Sequence, residues 1–358
     1  MSDIDEILMR HAQLIDKVIE KYIPREFTEK SIAFQVNKPR FAYDLSSLNS
    51  AIAKPIWDFL DRGGKRIRPT LFLLICEALG KNPEDFVDFA IIPEIIHNGT
   101  LIIDDIMTAS EMRRGRPATY KIFGLDIATN AGNAMYYLSL LPLIEKKDRV
   151  SGEKLRETYE IYVQEMINLS FGQAMDISWH RGLSDAEKID EKDYLQMSAY
   201  KNGTLLRMAA RIAATLSSGS KELVEKLGKF AETIGVGFQI YDQILDLTHE
   251  RFGKLTRGLD IVEGAITLPV IHTLKVASQR DKKALTNILR QHTTDQSKIN
   301  EAISILNKYE SIEYSRKIIR KLLEQSWQEV ELLLPPSDAK QKLYAFVNFF
   351  FERWAQLE

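Results

Sequence analysis

Apolar residues recur every three or four positions along most of this chain, the spacing of helices that bury one face. From residue 3 to 22, Ile4, Ile7, Leu8, His11, Leu14, Ile15, Val18 and Ile19 fit one amphipathic helix, with His11 expected at the surface. Farther on, Ile92, Ile95, Gly99, Ile102 and Ile106 form an apolar stripe, and His97, Thr100, Asp104 and Thr108 form a polar one beside it. A third stripe, Leu223, Leu227, Phe230, Ile234, Phe238, Tyr241 and Leu245, runs next to Gly235, Gln239, Asp242 and Asp246. No segment alternates with the period of a strand, and the chain has only 18 glycines and 11 prolines. The pattern predicts an all-α protein. A polar, irregular piece from Pro24 to about Asp44 follows the first helix. We therefore divide the chain into an N-terminal amphipathic helix and irregular extension, 1–40, and one large domain, 41–358.

Composition narrows the function classes. With 358 residues, 45% apolar, 27% charged and a formal charge of −2, nothing favours nucleic acid as a partner. Apolar runs such as Leu71 to Cys76 are too short to span a bilayer, and the N-terminus lacks the apolar core of a signal peptide. A cytoplasmic protein that is not transmembrane is expected. Cys76 is the single cysteine, which rules out a disulfide within the chain, and its apolar neighbours predict burial.

Three places concentrate chemistry. Asp104 and Asp105 end an apolar helix, and Arg113, Arg114 and Arg116 follow, bracketed by Gly115 and Pro117. Acids at a helix end with arginines just beyond suit an anion held partly through a metal and partly through guanidinium groups. The run Gly63-Gly64-Lys65-Arg66-Ile67-Arg68 lets backbone approach a ligand closely among three cations, which fits either a phosphate or a glycine-capped helix end. Asp242 and Asp246, one turn apart on a helix otherwise built for burial, need a metal or a wet cavity to face. Gln173 and Asp176 share a face farther upstream, and Lys201 stands beside Gly203 where a helical pattern is interrupted, the mark of a kink or a bound group.

Taken in order, the motifs GGKRIRP from Gly63, DDIMT with RRGRP from Asp104, GQAMD from Gly172, KNG from Lys201, FQIYDQILD from Phe238 and EGAITLP from Glu263 resemble those of the trans-isoprenyl diphosphate synthases. The resemblance covers the chain from about residue 40 to its end. It implies a single-domain helical bundle around a central cavity, usually a homodimer, that joins isopentenyl diphosphate to an allylic diphosphate with about three magnesium ions. By position, Lys65, Arg68, His97 and Arg114 would hold isopentenyl diphosphate. Arg113, Lys201 and Lys254 would meet the allylic diphosphate, Gln239 would lie near the reacting carbons or the diphosphate, and Asp104, Asp242, Asp246 and Asp176 would surround the metals. Residues one to two turns before Asp104, namely Ile96, Gly99 and Thr100, would set chain length. Gly99 and Thr100 are not aromatic, so the expected product is geranylgeranyl diphosphate or longer.

The sequence also departs from the family. Thr108 stands where a third aspartate is usual, Gln243 where a second aspartate is usual, Asn202 where threonine is usual, and Ala265 where the related EGK form has lysine. Each change touches the allylic side, which leaves a second reading: a weakly active or non-catalytic paralogue that pairs with an active synthase. A terpene cyclase on the same fold is disfavoured, because it would not keep the cations of an isopentenyl site.

Overall fold

The computed structural model describes residues 3–35, 40–185, 188–248 and 257–355. Among these, helices account for nearly all regular structure, and the strands are the short antiparallel pair Met112–Arg113 and Arg116–Pro117. The all-α expectation holds. The residues gather into two compact units, the first comprising 1–161, 208–225 and 334–353, the second 162–207, 226–333 and 354–358.

In the first unit the helix Val87–Met107 is packed against Ile67–Ala78, Leu125–Leu138 and Asp3–Tyr22. Phe89, Ile91, Ile92, Ile95, Ile96 and Ile102 on that helix are buried, as are Leu71, Phe72, Leu73, Leu74 and Ile75 on the helix before it. Together with the turn before it, residues Pro83–Met107, this helix is by length and composition long and apolar enough to cross a membrane, and 61% of its apolar 18-residue part is buried by protein. Gly99 and Gly132 lie where it meets Leu125–Leu138. A Cβ on Gly99 would fall 2.8 Å from the Gly132 carbonyl oxygen and 3.0 Å from Met135 Cβ, so glycine lets the two backbones approach.

The N-terminal helix Asp3–Tyr22 buries Ile4, Leu8, Ile15, Ile19 and Tyr22 against this unit. His11 joins that buried face rather than the surface. It lies between Leu8 and Ile15, which are both buried on the same stripe. Burial, reinforced by Arg10, pushes the imidazole down to about 4.

In the second unit, close approach again depends on glycine. A Cβ on Gly172 would meet the Tyr200 carbonyl carbon at 2.6 Å, and one on Gly235 would meet the Asn202 carbonyl oxygen at 2.6 Å. Residues Ala199–Gly203 form a single π-helical turn, the interruption expected at Lys201. Beneath it Arg207 donates to both oxygens of the fully buried Glu165 at 2.8 and 2.9 Å and pairs with Glu232.

Candidate active site

The first unit carries a cluster of cations around the Gly63-Gly64 turn. Arg114 Nη1 donates to the Gly63 carbonyl, and its guanidinium lies 5.0 Å from the Phe59 ring centroid. Arg68 starts the helix Ile67–Ala78, and its Nε is buried without a partner. Arg68 and His97 both keep some surface open to solvent while being walled in by protein, as groups at the base of a cleft are. Burial pushes the Arg68 guanidinium below its ordinary value. Burial and then Arg68, Arg114, Arg113 and Arg66 hold His97 well below the usual imidazole range, so it is neutral at pH 7 and can donate one N–H. Arg114 is pushed down to about 10 by burial and by the cations beside it. Mutual repulsion among half-desolvated cations is relieved by an anion. Lys65 is exposed at its rim.

At the end of the Val87–Met107 helix, Arg113 Nε donates to Asp105 Oδ1 at 2.7 Å, and Nη2 lies 3.5 Å from Asp104 Oδ2. Asp105 is fully buried, its Oδ2 has no partner, and burial outweighs Arg113 in raising its pKa. The hairpin carrying Arg113 turns through Arg114 and Gly115, both at positive φ. Arg62 supports it, donating to the Arg113 carbonyl at 3.2 Å and to Asp58 at 2.5 Å. Arg62, Asp58 and the inward role of Asp105 were not singled out from sequence, although Arg62 directly precedes the glycine pair. Thr108 Oγ1 donates to the Asp104 carbonyl at 2.9 Å and lies 2.8 Å from Ser110 Oγ, so its hydroxyl is engaged at the helix end.

The three chain-length residues have different surroundings. Gly99 faces the Leu125–Leu138 helix with no space for a Cβ, and Ile96 is fully buried. The helical period had set the direction of these side chains without revealing which neighbour lies there. Thr100 is half-buried and donates to the His97 carbonyl at 2.7 Å.

In the second unit, Lys201 Nζ donates to Asp176 Oδ2, and His180 Nδ1 lies 3.6 Å from the same oxygen. Gln239 is half-buried and Asp242 is exposed. Asp246 differs from expectation: it is 2% exposed, its Oδ2 accepts from the Asp260 amide at 2.9 Å, and its carbonyl accepts from Gly258 at 2.9 Å. Through these two contacts it anchors the turn that begins Leu259–Val262. Ala265 is buried, so a lysine at that position would have to be desolvated. Lys254 lies outside the described residues. Among the described residues no three acidic, histidine or cysteine side chains are gathered as a metal cluster. Instead Asp104 and Asp105 are engaged by Arg113, Asp176 by Lys201, and Asp246 by a backbone amide.

Comparison with known proteins follows from this geometry. The family described as Polyprenyl synthetase matches residues 49–306. A short chain isoprenyl diphosphate synthase of Methanothermobacter thermautotrophicus is 33% identical over 81% of this chain and 87% of its own. A geranylgeranyl diphosphate synthase of Methanosarcina mazei is 29% identical over 93% of each chain. Among solved structures, geranylgeranyl pyrophosphate synthetase from Pyrococcus horikoshii Ot3 superposes with a TM-score of 0.83 at 27% identity, covering 97% of this chain and 98% of the other.

Proposed function

Because this chain belongs to the polyprenyl synthetase family, we propose that it condenses isopentenyl diphosphate with an allylic diphosphate to give geranylgeranyl diphosphate or a longer trans-polyprenyl diphosphate. The observation that carries this is the cation corner of Arg68, His97 and Arg114, with the buried Arg68 Nε left for a ligand. Lys65, Arg68 and Arg114 neutralise the diphosphate of the isopentenyl substrate, and neutral His97 adds an N–H without adding charge. Arg113, Lys201 and Lys254 receive the diphosphate that leaves the allylic substrate, and Gln239 orients the reacting end.

Carboxylate oxygens are the donors that magnesium prefers, and Asp104 and Asp242 are the members of the expected set best fitted to hold it. Asp104 is 27% exposed and only loosely paired with Arg113, and Asp242 is exposed. Asp176, paired with Lys201, would be a further carboxylate donor, and Asp246 is held by the Asp260 amide. Magnesium bound there would neutralise charge developing on the departing oxygens. Within each unit a cation is held by an acid, Arg113 by Asp104 and Lys201 by Asp176, and release of the acid would free that cation for a diphosphate.

The same reading makes the protein a cytoplasmic homodimer. Val163, Ile167 and Phe171, spaced by four on the helix Gly152–His180, are 53%, 47% and 57% exposed, an apolar stripe suited to a second copy.

Incubating the pure protein with magnesium, isopentenyl diphosphate and dimethylallyl, geranyl or farnesyl diphosphate, then separating the products by chromatography, tests the proposal. Geranylgeranyl or longer diphosphates are expected. Farnesyl diphosphate as the sole end product would overturn the chain length, and no turnover with any primer would overturn the activity.

A further inference from the structure

We propose that Asp16, on the N-terminal helix, is a positioning residue for the Gly63-Gly64 turn, acting through the buried guanidinium of Arg66. This rests on the reading of that turn as part of the isopentenyl diphosphate site.

Arg66 occupies left-handed backbone at φ 49°, a conformation that a non-glycine residue keeps only when its surroundings hold it. Its side chain is 2% exposed and is held from three directions. Nε donates to Asp16 Oδ1 at 2.8 Å, Nη1 to Glu94 Oε1 at 3.2 Å, and Nη2 to the Leu60 carbonyl at 3.4 Å. Asp16 is the shortest of these contacts and the one contributed by the N-terminal helix. Glu94 is itself fixed by Asn98 Nδ2, which donates to its carboxylate at 3.1 Å and to its carbonyl at 2.8 Å.

The turn rests directly on this group. A Cβ on Gly64 would fall 2.8 Å from Arg66 Nη1 and 3.3 Å from Arg114 Nη2, so Gly64 sits between two guanidinium planes. Arg114 also donates to the Gly63 carbonyl. The orientation of Arg66 therefore sets the height of the turn that carries Lys65 and leads into Arg68. Arg66 faces acids and backbone, which makes it a support rather than an anion ligand.

Charge and geometry predict opposite results when Asp16 is altered. Removing a negative charge next to a cation cluster raises the local positive potential and, acting alone, tightens an anion. Releasing Arg66 Nε lets the turn shift and weakens an anion. Asp16→Asn keeps the acceptor oxygen and loses only the charge, whereas Asp16→Ala loses both. Asp16 is half-exposed, so neither change opens a core cavity.

The test titrates inorganic diphosphate by calorimetry, without metal, into wild type, Asp16→Ala, Asp16→Asn and Asp16→Glu, and measures steady-state constants for both substrates. Asp16→Ala should bind diphosphate about fivefold more weakly and raise KM for isopentenyl diphosphate about as much. Its KM for the allylic partner and its kcat should stay within about twofold of wild type. Asp16→Asn should bind at least as tightly as wild type, and Asp16→Glu should recover most of the loss. Unchanged or tighter binding by Asp16→Ala, equal losses for both substrates, or no binding of diphosphate to wild type would each overturn the inference. Wild type that binds diphosphate yet turns over no primer would overturn the proposed activity alone, and the calorimetric series would still decide the role of Asp16. Should Asp16→Ala not fold, Asp16→Ser, whose shorter side chain also loses the contact with Arg66 Nε, takes its place: about fivefold weaker binding is expected, and unchanged or tighter binding would overturn the inference.

Discussion

The phenol of Tyr194 donates a 2.7 Å hydrogen bond to the side-chain carbonyl of Gln243, and both residues are buried. Burial, then Asp260 and Asp176, hold the phenol well above its ordinary value, so it stays a donor and needs an acceptor. Glutamine supplies a neutral acceptor where the family usually has aspartate. The departure at position 243 is thus explained by its neighbours: a carboxylate here would be a further charge in an already acidic, desolvated setting.

Gln243→Glu tests this, because it keeps the length and adds only the charge. Its carboxyl should have a raised pKa in the folded state. The variant should therefore match wild type below about pH 4.3, the unfolded glutamate value, and lose stability as pH rises through the raised value. Melting curves across this range check it, and equal stability at pH 8 would show that the site tolerates the charge.

His11 gives wild type a pH dependence of the opposite sense. Its pKa falls from 6.5 to about 4 on folding, so the unfolded chain binds the proton first as pH drops. Stability is fully present above pH 6.5 and should decline by about 3 kcal/mol as pH approaches about 4. His11→Gln should flatten this part of the profile in denaturant melts. A wild-type profile that stays level from pH 7 to 4.5 would contradict a buried, neutral imidazole.

Arg114→Ala should raise KM for isopentenyl diphosphate about tenfold or more, with a smaller effect on the allylic partner. The residue both faces the anion corner and holds the Gly63 carbonyl. Equal losses for both substrates would mean that the two diphosphates are not divided as proposed.

Much of this is legible in the amino-acid sequence, for a physical reason. Helix-forming stripes and cations beside a glycine pair are properties of residue identity and spacing, so the Val87–Met107 helix and the Gly63 turn could be read directly. Spacing gives the direction of a side chain but not what lies there. Spacing puts Gly99 among the chain-length residues, and it packs on Gly132; spacing puts His11 at the surface, and it is covered; the resemblance puts Asp246 near the metals, and its Oδ2 holds the Asp260 amide. Each partner is distant in sequence or belongs to an irregular turn, where no period exists to follow. Arg66 looked like one more ligand-facing cation, and only its contacts with Asp16 and Glu94 show that it faces inward.

The packing of Gly99 predicts different outcomes for variants at two adjacent positions. Gly99→Ala would place a methyl 2.8 Å from the Gly132 carbonyl oxygen and should cost about 1 to 3 kcal/mol by forcing two helices apart. Thr100→Phe, at a half-buried position, should leave the fold intact and shorten the product. Melting temperatures and product chromatography of both variants check this, and an unchanged product from Thr100→Phe would place the floor elsewhere.

Thr108 is the departure with the sharpest consequence for the metal. It is exposed at the end of the Val87–Met107 helix, one turn beyond Asp104, and its hydroxyl donates to the Asp104 carbonyl at 2.9 Å. In Thr108→Asp that hydrogen bond is lost, and a carboxylate is set against the negative end of a helix dipole and next to Asp104. Without a dication the change should cost about 0.5 to 1 kcal/mol. Magnesium reverses the balance, because a hard dication gains a charged oxygen in place of a neutral hydroxyl. The variant should therefore melt lower than wild type in chelator, recover with magnesium, and reach half-maximal activity at a lower magnesium concentration. Ala265→Lys, which the family pattern would suggest as a companion, should not help, since Ala265 is buried. Melting in chelator and magnesium titration of turnover are independent readings. A lower melting point with no shift in the magnesium requirement would show that position 108 serves only to finish the helix.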